Sequence, residues 1–75
     1  MKKLLQFLSD LEKNNIHYHI EHNRDDFVMV SVAVAGERWE VEFSEQGKVE
    51  IEIFKNSSGV LEDESLLEKL LSYGA

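Results

Sequence analysis

The residues of this chain whose type and spacing most invite chemistry are four glutamates in two pairs, Glu40-Val41-Glu42 and Glu50-Ile51-Glu52. A spacing of two in an extended segment turns both members of a pair to the same side, so each pair presents its carboxylates together. Paired carboxylates flank the sugar in a glycosidase, one as acid and the other as base or nucleophile. That chemistry also needs a cleft that encloses substrate, whereas the surrounding pattern predicts an open strand surface. The other use of the four carboxylates is an anionic platform that steers and docks a cationic partner, with association that weakens as salt rises. The bland alternative is a solvated face whose glutamates splay apart in high dielectric.

Histidines are the second set. His17 and His19 lie two apart, and His22 closes the same segment. Two imidazoles at that spacing can share zinc if a carboxylate completes the set, but Glu40 and Glu42 are expected two strands away, so neither a metal nor any other cofactor is expected. Polar edge surface is the simpler reading, with pH response as a further use. There is no G-x-S-x-G, no H-E-x-x-H and no glycine-rich phosphate loop. The absence of cysteine removes disulfides, thiolate ligands and a cysteine nucleophile, and fits a cytoplasmic home. An enzyme is not the expected reading.

The elements that would position these groups follow from periodicity. Leu4, Leu5, Leu8 and Leu11, flanked by Phe7, recur at helical spacing and predict an amphipathic helix that Asn14-Asn15 ends. From Ile16 the period becomes two, with Ile16, Tyr18 and Ile20 on one side and His17, His19 and Glu21 on the other. Asn23-Arg24-Asp25-Asp26 supplies a turn, after which Val28, Val30, Val32 and Val34 form a core-facing row. A two-residue loop at Gly36-Glu37 would set Val34 against Trp39, Val32 against Val41 and Val30 against Phe43. A three-residue loop at Glu45-Gln46-Gly47 would set Phe43 against Val49, Val41 against Ile51 and Trp39 against Ile53. Asn56-Ser57-Ser58-Gly59 reads as a loop. Ser65-Leu66-Leu67-Glu68 matches a capping box, with Asp63 a rival cap, before a helix striped by Leu66, Leu67, Leu70 and Leu71 that Gly74 would stop.

These elements predict one domain over residues 1–75, an α+β fold in which a four-stranded antiparallel meander carries an N-terminal and a C-terminal helix on its valine/Trp39/isoleucine face. The opposite face is left uncovered. There Glu42 would oppose Glu50 and Glu40 would oppose Glu52, an arrangement that destabilises a strand pair by up to about 1 kcal/mol each. Ser31 and Ala33 on the neighbouring strand supply no cation, and Arg38 and Lys48 sit near the ends. Phe27, Met29 and Phe54 would stand on the same face, where exposure would make Phe27, Met29 or Trp39 the apolar anchor of an interface. A homodimer that buries this face is the competing arrangement.

Composition narrows the partners. Fifteen acidic against eight basic residues leave a formal net charge of −7, which repels phosphate backbones and disfavours nucleic acid. A hydrophobic fraction of 43% suffices for a folded domain. Gln6, Asp10, Glu12 and Lys13 interrupt the opening apolar run before it could serve as a signal sequence, and no stretch approaches the roughly 20 apolar residues that span a bilayer. Neither secretion nor a membrane partner is expected.

The stretch Gly36-Glu37-Arg38-Trp39-Glu40-Val41-Glu42-Phe43, followed by Gly47-Lys48-Val49-Glu50-Ile51-Glu52, resembles small bacterial proteins with a G-x-R-W-E-V-E-F…G-x-V-E-V-E pattern. Arg24-Asp25-Asp26 and the acidic final helix are similar too, so the likeness runs from about the first strand to the end. Ser44-Glu45-Gln46-Gly47 and Phe54-Lys55-Asn56 are less acidic than that pattern. Those proteins look like immunity proteins of polymorphic toxin systems. The resemblance implies a fold and a class of partner more than a mechanism, and it brings no catalytic residues; joined to the acidic face, it leads to the expectation of a non-enzymatic protein-binding module that occludes a basic toxin.

Overall fold

The computed structural model describes residues 1–34, 36–55, 58–62 and 66–72. They form helix α1 (Lys2–Lys13), strands β1 (His19–Arg24), β2 (Phe27–Val34), β3 (Glu37–Ser44), β4 (Val49–Lys55) and β5 (Ser58–Glu62), and helix α2 (Leu67–Ser72). The strands lie side by side in chain order, each antiparallel to the next, in one open sheet. This is the α+β meander with a helix at each end, lengthened by a fifth strand where composition reads Ser58-Gly59 as loop. The free edge of β4 offers unpaired N–H and C=O groups, and satisfying them outweighs the poor strand propensity of serine and glycine. The expected loop at Asn56-Ser57, the caps at Asp63 and Ser65 and the stop at Gly74 lie outside the described residues.

Helix α1 buries Leu4, Phe7 and Leu11, whereas Leu5 is 63% exposed, so the apolar stripe is turned relative to its leucine-only reading. Phe7 sets the phase by packing against Phe43, with ring centroids 5.5 Å apart. The helix ends at the asparagine pair: Asn14 caps it and donates from Nδ2 to the Asp10 carbonyl at 2.8 Å, and Asn15 takes the left-handed conformation at φ 57°. The Ile16 N–H then bonds the Leu11 carbonyl at 2.9 Å, so Ile16 closes the helix end and is buried there. This is why β1 begins at His19 and not at Ile16.

The β3–β4 hairpin has the expected register, with Phe43 opposite Val49, Val41 opposite Ile51 and Trp39 opposite Ile53. Gly47 supplies the left-handed residue at φ 84°. Ser44, buried at the loop's base, accepts at Oγ from the Lys48 N–H and donates its own N–H to the Lys48 carbonyl, both at 2.9 Å. The β2–β3 hairpin differs by two residues from the expected register. Val34 pairs with Glu37, Val32 with Trp39, Val30 with Val41 and Val28 with Phe43, and Gly36, at φ 78°, immediately precedes β3. An even shift leaves every side chain on its expected face.

That face is the core. Val30, Val32, Trp39, Val41, Phe43, Ile51 and Ile53 bury together with Leu4, Phe7 and Leu11 of α1 and Leu70 of α2. Trp39 is fully buried, and its indole Nε1 donates to Glu37 Oε1 at 2.9 Å. Glu37, with a side chain only 9% exposed, also pairs with Lys55 Nζ at 2.8 Å. The hydrogen bond from Lys55, then that from Trp39, hold the Glu37 carboxyl below its ordinary value of 4.5 despite the opposing effect of desolvation. Among the described residues no helix is long and apolar enough to cross a membrane.

Candidate functional site

On the face away from both helices the strands build cross-sheet rows. One runs Glu21, Met29, Glu42, Glu50, and the next runs His19, Ser31, Glu40, Glu52. Glu42 therefore opposes Glu50 and Glu40 opposes Glu52, as the E-x-E spacing requires. β3 and β4 lie at the centre of the sheet, so all four carboxylates are carried on paired, regular backbone.

Ser31 and Ala33 supply no cation, but three cations reach these glutamates: Arg38 and Lys48 from the strand ends, and Arg24, which the turn expected at Asn23-Arg24-Asp25-Asp26 does not place there. Arg24, placed opposite Phe27 at the end of β1, lays its guanidinium across β2 and donates from Nε to Glu42 Oε2 at 3.2 Å and from Nη2 to Glu50 Oε1 at 3.0 Å. Desolvation opposes its charge, but the bond to Glu50 and the two carboxylates outweigh this and raise its pKa further, so Arg24 remains a cation at every ordinary pH. Arg38 Nε pairs with Glu40 at 3.3 Å, and Lys48 Nζ with Glu50 at 3.6 Å. Glu52 has no ion-pair partner among the described residues. The site is thus a lattice of charges with its uncompensated end at Glu52. A turn confined to Asp25-Asp26 would have placed Arg24 opposite Phe27, and that was the signal available in the sequence.

The apolar residues of this face are not open. The Arg24 guanidinium carbon lies 3.8 Å from the Phe27 ring centroid and that of Arg38 lies 4.4 Å from the Phe54 centroid, cation–π contacts that cover both half-buried rings. Met29 is only 7% exposed, flanked in its row by the long side chains of Glu21 and Glu42. Trp39 belongs wholly to the core. Each arginine therefore does two things: it bonds glutamate and it shields an aromatic ring.

The histidines are separated by the late start of β1. His17 precedes the strand and lines an open depression of about 340 Å³ with Glu12, Asn15, Ile16 and Tyr18, where the Tyr18 hydroxyl donates to Glu12 at 2.5 Å. That hydrogen bond raises the Tyr18 pKa, with desolvation and the Glu12 charge adding to it. His19 stands in the row of Ser31 and Glu40, and His22 faces the Asp25 carbonyl at 3.3 Å. Among the described residues no three His, Cys, Asp or Glu side chains are grouped to hold a metal ion. Compared with models of protein families, with curated proteins and with solved structures, the chain matches none of them.

Proposed function

We propose that this protein is a non-enzymatic binding module whose glutamate face docks a basic surface of a protein partner, and that neutralising a cationic toxin, in the manner of an immunity protein, is its specific form. The observation that carries the reading is the direct opposition of Glu40 with Glu52 and of Glu42 with Glu50 at the centre of the sheet. Like charges there work against the strand pair, so a fold selected for stability alone would oppose glutamate with lysine. Arg38 bonds Glu40 only, so a partner cation set beside Glu52 relieves that repulsion at the one carboxylate of the four that pairs with no described cation.

The arginines extend this reading to affinity. Exposed ion pairs are worth roughly 0–1 kcal/mol, so a partner arginine competing for Glu42 and Glu50 can displace Arg24 at little cost. Displacement uncovers Phe27, converting an electrostatic encounter into a contact with an apolar anchor. Affinity capture from source-cell lysate at low and moderate salt tests the proposal, comparing the native chain with a variant carrying glutamine at positions 40, 42, 50 and 52. A basic protein held by the native chain and lost by the variant is the expected result. Identical retention by both chains overturns it.

A further inference from the structure

β1 is an edge strand with all six residues exposed, and its outer row of backbone N–H and C=O groups faces no other strand among the described residues. Proteins blunt such edges with lysine, proline, inward charges or bulges. His19–Arg24 contains neither lysine nor proline, and its register irregularity falls after Glu21, toward the turn. Arg24, the one permanent cation of the strand, is folded back onto Glu42 and Glu50. The stretch His19-Ile20-Glu21 remains as regular edge whose one charge is Glu21, with Ile20 53% exposed at its centre.

We propose that the occupant of this edge is a second copy of the chain, β1 pairing antiparallel with β1 about a two-fold axis through Ile20, so that two sheets join into one. The register follows from symmetry and charge. Directly opposed residues of an antiparallel pair share a face, so the axis must pass through a residue and not between two. An axis through Glu21 sets glutamate against glutamate. One through His22 sets Ile20 against Arg24, and one through His19 sets imidazole against imidazole and runs out of the strand. The axis through Ile20 alone buries isoleucine on isoleucine and sets His19 against Glu21 on both sides, an imidazole donor against a carboxylate acceptor. A single short strand pair buries less than the roughly 800 Å² per partner of a standard interface, so the dimer is weak and concentration-dependent.

The test uses the full chain in sedimentation equilibrium up to millimolar concentration, together with oxidative cross-linking. No cysteine occurs naturally, so Ile20→Cys introduces a single thiol whose partner would lie directly opposite, with Cα atoms about 4.5–5.5 Å apart and within disulfide range. His22→Cys is the control, since the proposed register separates the two thiols by about four residues, or roughly 13 Å along the strands. Expected are a concentration-dependent dimer, rapid cross-linking at position 20 and little at 22, loss of the dimer in Glu21→Lys, and its return in the His19→Glu/Glu21→Lys double variant. A monomer at every concentration, or equal cross-linking at 20 and 22, overturns the proposal. The variant with glutamine at 40, 42, 50 and 52 keeps the dimer, which separates this seam from the partner-binding face.

Discussion

Reversing one charge distinguishes positions 50 and 52, although both are glutamates opposed to glutamate. At about 5 Å in water two unit charges interact by roughly 0.8 kcal/mol, so changing Glu52 to lysine converts at most about 0.8 of repulsion with Glu40 into a similar attraction, reduced by Arg38, which bonds Glu40 at 3.3 Å. Screening at 0.15 M salt roughly halves the swing of about 1.6 kcal/mol, leaving a gain of at most about 0.9 kcal/mol. For a domain of this size that corresponds to a melting temperature higher by about 4–8 °C. Glu50→Lys gains nothing comparable, because Glu50 already receives Arg24 at 3.0 Å and Lys48 at 3.6 Å, and a lysine there would face both cations. Thermal and urea unfolding followed by circular dichroism measure both variants, and at 1 M salt the Glu52→Lys gain should fall to roughly 0.3 kcal/mol as the Debye length shrinks to about 3 Å. Equal effects at the two positions, or a gain at 52 indifferent to salt, would refute the assignment of Glu52 as the uncompensated end of the lattice. On the proposed function the same Glu52→Lys variant is the more stable and the weaker binder.

Three further outcomes are expected. Glu37 has a folded pKa depressed by Lys55 and then Trp39, so its contribution is complete above its unfolded value near 4.5 and is lost as pH falls through the lower folded value; Glu37→Gln should lower the melting temperature at neutral pH and flatten the acid limb of stability against pH. Met29→Ala should cost about 2 kcal/mol in urea titrations because Met29 is buried, whereas Leu5→Ala on the exposed flank of α1 should stay within about 0.5 kcal/mol. Gly47→Ala meets no atom within 4 Å of its new Cβ, yet φ 84° strains any L side chain, so a loss of about 1–2 kcal/mol by thermal unfolding should be purely conformational.

The faces of this fold were legible because strand alternation survives errors of register. Gly36 allowed two neighbouring two-residue loops, and the wrong choice displaced β2 against β3 by two residues while leaving the valines and Trp39 in the core and the glutamates outside. The β3–β4 pairing, on which the glutamate opposition rests, depended on Gly47 in a loop that offered no such alternative. Helix phase was less legible: a stripe through Leu5 and one through Phe7 both satisfy helical spacing, and only the meeting of Phe7 with Phe43 decides between them. β5 was hidden because its opening Ser58-Gly59 has loop composition, and its strand character comes from the edge it pairs with. Arg24 was hidden for a related reason. Its partners Glu42 and Glu50 are 18 and 26 residues away, and its reach across β2 depends on where β1 ends.

The arginines also explain how so small a domain tolerates its glutamates. A chain of this length is stabilised by roughly 4–11 kcal/mol in all, so two opposed glutamate pairs at up to about 1 kcal/mol each are a sizeable load. Arg24 bridges one pair directly, and Arg38 bonds a single member of the other. Both guanidiniums rest on phenylalanine rings, which fix them over the sheet and remove apolar surface from water at the same time. Compensation is therefore strongest at Glu42 and Glu50 and weakest at Glu52, and the face is graded from a closed end to an open one. On the proposed function, a cationic partner would meet least resistance at the open end, beside Glu52, and would reach Phe27 only by taking over the bonds that Arg24 makes. Entry from the Glu52 side would make the first contact salt-sensitive and the later one apolar, so on that proposal Glu52→Gln should slow association while Phe27→Ala should hasten dissociation.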